Sequence, residues 1–212
     1  MRREAATAFT PCVKLSDRQL FLREFVRDPF RTASVTPSGA ALAEQLALPV
    51  PQRGQPVVVE LGPGTGTVTR AIGERLAGRG RHLAVELNPR LARLLADRCP
   101  GVEVVEDDAT RLGEILADRE LERADVVVSG LPWTVAPRPI VAAVADALAD
   151  SGTFAQFTYA WGRWAPAARR QLHSLRARFE EVVVSRTVWR NVPPAVVLFA
   201  RRPRRDGVGG RR

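Results

Sequence analysis

Three stretches of the chain set carboxylates and bare backbone where short apolar runs end. Glu60-Leu61-Gly62-Pro63-Gly64-Thr65-Gly66 follows "PVVV", Glu86-Leu87 closes "RHLAV", and Asp108-Ala109 ends "VEVVEDDA". Glycines at alternate positions remove side chains where a ligand must lie against the main chain, and a helix that begins at once offers unpaired N–H donors. The spacing is Gly-x-Gly-x-Gly with no Gly-Lys-Ser/Thr after it. It is therefore neither the phosphate loop nor the Gly-x-Gly-x-x-Gly of dinucleotide sites. An acid at the second strand end can take both hydroxyls of a ribose. Asp108 can accept from an adenine amino group while Ala109 offers its backbone N–H. A single acid at a strand end is more often a solvated loop carboxylate. Three in succession line one edge of a sheet, where open α/β folds bind ligands.

A fourth apolar run, "ADVVV", empties into Ser129-Gly130-Leu131-Pro132-Trp133. The Ser129 hydroxyl and the exposed carbonyls around Leu131 can bond a donor nitrogen, though they orient a planar amino group poorly. Tyr159, the only tyrosine, ends "GTFAQFTY". Its hydroxyl is a candidate for orienting an amine, with plain aromatic packing the competing reading. Arg31 and Arg190 are candidates for gripping an anion, because guanidinium offers a bidentate fork. With Lys14 the only lysine among 32 basic residues, most arginines must be surface charge.

The elements that position these residues follow from periodicity. From residue 56 short apolar runs alternate with helical patterns, as a parallel sheet with crossover helices requires. The helices are "TVTRAIGERLAG", "PRLARLLADR" with Pro89 in its first turn, "PIVAAVADALAD" and "APAARRQLHSLRARF". The last two strands, "EVVVSRTVW" and "PAVVLFARR", are joined by "RNVPP", too short for a crossover, so they must be antiparallel. The expectation is an α/β, Rossmann-like seven-stranded sheet with an antiparallel last strand, and no internal repeat. Before it, residues 15–31 form an amphipathic helix with Leu15, Leu22, Phe25 and Val26 on one face. That face either docks on the domain or lies in a membrane interface. The expected divisions are 1–40 for this helix and a lid segment, 41–202 for the main domain, and 203–212 for a disordered Arg-rich tail.

Composition narrows the class. The chain has 212 residues, 45% of them hydrophobic, enough for one domain with a full core. No apolar run reaches the ~18 to 20 residues of a spanning helix, and "MRREAATAFTPCVK" lacks the pattern of a secretory signal, so a cytoplasmic protein is expected. Cys12 and Cys99 are too few for a disulfide framework and fit a reducing compartment. His82 and His173 stand without spaced ligand partners, and no metal is expected. The net charge is +9, and "RRPRRDGVGGRR" at the C-terminus carries six arginines against one aspartate. Such a tail suits anionic lipid or nucleic acid, or is simply a solvated end.

Over residues 56–202 the chain resembles the class I S-adenosylmethionine-dependent methyltransferases. The resemblance implies S-adenosylmethionine as cofactor, held by Glu60, Gly62, Gly64, Thr65, Gly66, Glu86, Leu87, Asp108, Ala109 and Ser129. Enzymes of that class that modify base amines resemble Asn/Asp-Pro-Pro-Tyr/Phe at the fourth strand end; here the amide is missing, which argues against a nucleobase. Four stretches, "FLREFVRDPFRTASVTPSG" (21–39), "SGLPW", "FAQFTYAWG" (154–162) and "VWRNVPPAVVLFARR" (188–202), resemble bacterial phospholipid N-methyltransferases. This implies an enzyme acting on phosphatidylethanolamine toward phosphatidylcholine, peripheral on the inner face of an anionic membrane; a monomer is expected, though the sequence is silent on oligomeric state. Tyr159, Ser129 and Leu131 would serve catalysis, and Arg31, Ser38, Trp133 and Arg190 the acceptor. The second aspartate of "EDDAT" and Trp133 after Leu-Pro depart from the pattern. Nucleic acid is not the expected partner. The alternatives are a ribosomal RNA adenine methyltransferase, whose additional helical domain would have no room after residue 202, and a non-catalytic module that binds membrane or nucleic acid.

Overall fold

A computed structural model describes residues 39–131, 138–160 and 166–205. The leading amphipathic helix, with Arg31 and Ser38, lies outside the described residues, as do Pro132, Trp133 and residues 206–212.

The elements run α1 (Ala40–Ala47), β1 (Val57–Leu61), α2 (Thr67–Leu76), β2 (Arg81–Val85), α3 (Pro89–Arg98), β3 (Glu103–Val105), a 3-10 turn (Ala109–Arg111), α4 (Leu112–Ala117), β4 (Ala124–Ser129), α5 (Arg138–Ala147), β5 (Leu148–Tyr159), α6 (Pro166–Arg178), β6 (Phe179–Val184) and β7 (Ala195–Pro203). The seven strands form one sheet in the order β3-β2-β1-β4-β5-β7-β6. β1 to β5 pair in parallel, and β7 runs antiparallel between β5 and β6. The antiparallel end follows from the short connection, as the sequence requires.

Strand alternation divides the core. Val59, Leu61, Leu83, Val85 and Val127 face α4, α5 and α6 through Leu112, Ile115, Val144 and Leu175. Val58, Val126 and Val128 face α1 and α2 through Leu42, Leu46, Val68 and Ile72, while Ala84 meets Leu95 of α3. Both faces of the central strands are covered, so their sequences read as continuous apolar runs.

Several boundaries differ from the periodic reading. α5 stops at Ala147 rather than continuing through "LAD", because Leu148 already bridges Ala124 and the register then shifts before Val126 meets Thr153. β6 ends at Val184 instead of Trp189; beyond it only Val188 bridges Ala195. α1 and α4 are additional helices, short and apolar enough that their pattern merges with the flanking loops. Strand pairing reaches the first residue of the expected Arg-rich tail. β7 runs to Pro203, and Arg205 donates to Asp150 at 2.6 Å and to the Leu148 carbonyl at 2.6 Å. Cys99 is buried after α3, and Cys12 lies outside the described residues. No helix among the described residues is long and apolar enough to cross a membrane.

Candidate cofactor and acceptor site

The carboxyl ends of β1, β2, β3, β4 and β5 share one rim. At its centre the strand order reverses, with β1 leading outward to β2 and β4 to β5. This switch point opens the crevice in which α/β sheets hold ligands.

The turn after β1 is side-chain-free by necessity. Gly62, Gly64 and Gly66 have φ of 66°, 54° and 87°, a left-handed region that other residues enter at a cost. Gly66 then caps α2 without a side-chain hydrogen bond, leaving the first-turn amides as donors. β1 and β4 are interlocked here. Gly130 donates to the Leu61 carbonyl at 2.8 Å, and a Cβ on Gly130 would lie 2.6 Å from the Gly62 carbonyl. The Leu131 side chain covers Gly62, where an added Cβ would meet its Cδ2 at 2.3 Å. Ser129 is buried, and its Oγ accepts from the Leu131 amide at 3.3 Å, so the hydroxyl shapes its own turn.

Glu86 lies across from the glycine loop. Its two carboxylate oxygens accept from the Gly64 amide at 3.2 Å and the Asn88 amide at 3.0 Å. Burial pushes the Glu86 carboxyl above its ordinary range; the Asn88 and Gly64 amides pull it back, and the neighbouring Glu60 adds to the rise. Each oxygen keeps a lone pair for a further donor. Asn88 caps α3 through its side chain, which fixes the turn beneath Glu86. Leu87 beside it is 48% exposed, an apolar surface open at the rim.

Glu60, the penultimate residue of β1, is fully buried just beneath the rim. Its Oε2 meets His82 Nε2 at 3.2 Å on the face covered by α1 to α3, and its Oε1 has no partner. A buried carboxylate oxygen left unpaired costs about 1–3 kcal/mol or more, so it marks an acceptor waiting for a donor. His82, which stands alone in the sequence, is thus the partner of a site acid; only strand register makes the pair. Asp108 caps the 3-10 turn, with Oδ1 accepting from the Thr110 amide and hydroxyl at 2.8 Å each. The additional aspartate, Asp107, takes the Asp108 amide at 2.7 Å and pairs with Arg111 at 3.0 Å. Asp107 therefore braces the turn that presents Asp108 and Ala109.

On the other side of the switch point, Ser129 sits in register with Gln156 of β5, and both face α5 and α6. Gln156 is buried, accepts from Gln171 Nε2 at 3.1 Å, and leaves its own Nε2 unpaired. Tyr159 leaves β5 on the opposite face, where its ring meets Phe157 edge-on at 5.6 Å. Strand alternation thus separates Tyr159 from Ser129, which nearness in sequence pattern does not reveal. Arg190 is exposed in the connection between β6 and β7. Next to it the buried Asn191 accepts from the Gly39 amide at 2.8 Å. Gly39, the residue after Ser38, is thereby held at the same rim as Arg190.

The residues present fit an adenosyl sulfonium: a bare loop with helix-start donors, a ribose-range acid in Glu86, an apolar shelf in Leu87, and an orphaned carboxylate oxygen in Glu60.

No family model matches the chain. A curated relative, the ornithine lipid N-methyltransferase of Singulisphaera acidiphila, is 36% identical over 194 residues, covering 88% of this chain and 97% of that protein. The ribosomal RNA small subunit methyltransferase A of a Synechococcus strain is 42% identical, but over only 76 residues, 34% of this chain. Among solved structures, a SAM-dependent O-methyltransferase from Thermotoga maritima superposes over 88% of this chain and 73% of its own, with TM-score 0.61 and 16% identity. Human methyltransferase-like protein 13, solved with S-adenosylhomocysteine, superposes over 80% of this chain and 84% of its own, with TM-score 0.59 and 15% identity. A methyltransferase sheet with its β7 inserted antiparallel, an acid-and-glycine rim, and a relative matched along nearly its whole length converge: the chain belongs to the class I S-adenosylmethionine-dependent methyltransferases, with lipid N-methyltransferases among its relatives.

Proposed function

We propose that this enzyme transfers methyl groups from S-adenosylmethionine to the primary amine of a membrane amino-lipid. The near full-length likeness to an ornithine lipid N-methyltransferase carries the reading, because it covers 88% of this chain, far more than the cofactor motifs alone. The sequence resemblance points to phosphatidylethanolamine, the relative's name to ornithine lipid. Both headgroups present an aliphatic amine a few bonds from an anion, phosphate in one and carboxylate in the other. Of the two, the ornithine headgroup has the support of a relative matched over 97% of its length and is our first choice.

The cofactor supplies an activated methyl on a sulfonium, so no protein nucleophile is needed. What the chain must do is hold the acceptor nitrogen in line at about 3–3.5 Å. In this reading Glu86 takes the ribose hydroxyls, Asp108 and Ala109 the adenine edge, Leu87 one face of the base, and Glu60 with the loop amides the charged remainder of the cofactor. The turn of Ser129 and Leu131 offers backbone carbonyl acceptors to the amine, and the Tyr159 hydroxyl could orient it only across the strand end, since its ring leaves β5 on the other face. An aliphatic ammonium must lose a proton before attack, to water or a positioned acceptor. Arg190, with Arg31, Ser38 and Trp133 from outside the described residues, receives the anionic part of the head.

A single assay separates the readings: labelled cofactor is offered with micelles of ornithine lipid, with micelles of phosphatidylethanolamine, and with ribosomal RNA. Label in a lipid supports the proposal and names the head; label in RNA alone overturns it.

A further inference from the structure

The half of the rim formed by β5, β6 and β7 carries exposed apolar side chains that neither the cofactor nor a single amine requires. Trp189 is 75% exposed and Val192 78%, both in the connection from Ser185 to Pro194, with Val184 at 48% where β6 enters it. This connection stands at the rim because β7 is antiparallel: Ala195 pairs with Tyr159, and the Ala160 amide donates to the Pro194 carbonyl at 2.8 Å. From β1 the path crosses β4 and β5 to β7, three inter-strand steps, or roughly 14 Å. The connection and the cofactor loop thus stand on one rim of the sheet.

The connection is braced, not loose. Asn191 points inward, accepting from the Gly39 amide and donating through Nδ2 to the Pro193 carbonyl at 2.6 Å. Ser185 Oγ accepts from the Val197 amide at 2.9 Å, and the Val188 amide donates to the Ala195 carbonyl at 2.7 Å. With Asn191 held inward, Trp189, Arg190 and Val192 are held outward, so presenting them costs little ordering on contact.

Charge identifies the partner. Residues 182–200 contain two arginines, Arg186 and Arg190, and no acid. Both are exposed, and so are Arg169 and Arg170 in the first turn of α6. α6 runs back from the rim to Phe179, so its first turn lies at the rim end of the sheet. Cations there oppose the helix dipole, so helix stability does not explain them. A tryptophan and a valine in one connection with two exposed arginines match a surface that is apolar below and anionic above, which is the interface of an anionic bilayer.

We infer that the β6–β7 connection, through Trp189 and Val192 with Arg186 beside them, is a membrane-docking tip that seats this rim on anionic lipid and brings the acceptor headgroup to the cofactor loop. The inference rests on the amino-lipid reading for its purpose, but docking is measurable without catalysis.

The test compares the full chain with the double variant Trp189→Ser, Val192→Ser, and with Arg186→Ala. Co-sedimentation uses vesicles of neutral phosphatidylcholine and vesicles that also contain phosphatidylglycerol. The wild type is expected to bind the anionic vesicles more tightly and to release them as salt rises. The double variant should bind about fivefold less or weaker still, and Arg186→Ala a few-fold less. Methyl transfer to a short-chain amino-lipid dispersed in micelles should be unchanged in both variants. Vesicle binding by the double variant equal to wild type overturns the docking tip, as does wild-type binding to an RNA duplex but not to vesicles. Loss of micellar activity in the double variant alone also overturns it, assigning Trp189 and Val192 to the acceptor pocket instead. Absence of micellar activity in the wild type is the failure of the amino-lipid reading, and the vesicle result stands apart from it.

Discussion

The two halves of the rim are built from opposite materials. Around the ends of β1, β2 and β3 stand Glu60, Glu86, Asp107 and Asp108, with glycine backbone and capped turns between them. Beyond β4 the balance inverts: Arg169 and Arg170 at the start of α6 and Arg186 and Arg190 in the β6–β7 connection stand exposed at the rim end, with Trp189 and Val192 exposed beside the latter two. The first half is suited to a cation-bearing nucleoside, with short, fixed groups. The second offers diffuse positive charge and apolar tips, suited to a ligand that arrives as part of a surface. The division falls at the switch point between β1 and β4. A transfer enzyme needs two binding chemistries meeting at one point, and the strand order supplies the seam.

The comparison can be broken by substitutions that cross the seam. The largest effect is expected at Glu86. Glu86→Ala removes a charge-assisted acceptor worth roughly 1.5–3 kcal/mol, so calorimetry should show cofactor affinity falling about 10- to 150-fold, with acceptor KM little changed. Next is the seam itself. Gly130→Ala places a methyl 2.6 Å from a backbone carbonyl that cannot yield without moving β1, and a loss of about 1–3 kcal/mol should appear in denaturant unfolding together with weaker cofactor binding. On the basic side, Arg190→Ala should raise the acceptor KM about tenfold while leaving cofactor affinity within error, the reverse of Glu86→Ala.

A pH profile sharpens the acidic half. Burial raises the Glu86 pKa above its ordinary 4.5, so protonation is favoured in the folded chain. The stability Glu86 contributes is full below its unfolded value and is lost as pH rises through the folded one. Cofactor binding has the opposite demand, since the ribose hydroxyls bond best to the anion. Affinity should therefore start to fall, on acidification, at a pH above 4.5, and Glu86→Gln should flatten that fall. The smallest effect is expected at Tyr159. Its ring already packs on Phe157, and Tyr159→Phe should lower kcat by less than about threefold if the hydroxyl only orients the amine.

Much of the acidic half is legible in the sequence because it is local. Gly62, Gly64 and Gly66 announce a turn at positive φ, and Glu86 and Asp108 close recognisable strands, so spacing alone sets them on one rim. The buried partner of Glu60 is not legible. His82 lies 22 residues away, and the two meet only because β1 and β2 pair in parallel with both side chains on the α2 face. Asp107 reads as a departure from pattern, yet its pairing with Arg111 gives it a bracing role. The basic half is harder still. Its exposed Trp189 falls within what reads as a strand, and its position at the rim depends on where β6 stops.

What the sequence determined by itself was the class of fold and the chemistry of one ligand. Apolar periodicity, a connection too short for a crossover, and a glycine turn with acids at successive strand ends are all features within a few residues of each other, governed by sterics and main-chain hydrogen bonding. What only the tertiary structure decided was which distant groups share a face and which are left in water. Register turns His82 inward toward Glu60 and sends Tyr159 to the face opposite Ser129; the antiparallel insertion of β7 carries Trp189 and Arg190 to the rim. The physical reason is that a side chain's surroundings are set by strand pairing across the whole sheet, and pairing is a contest among all segments that no short stretch of sequence settles alone.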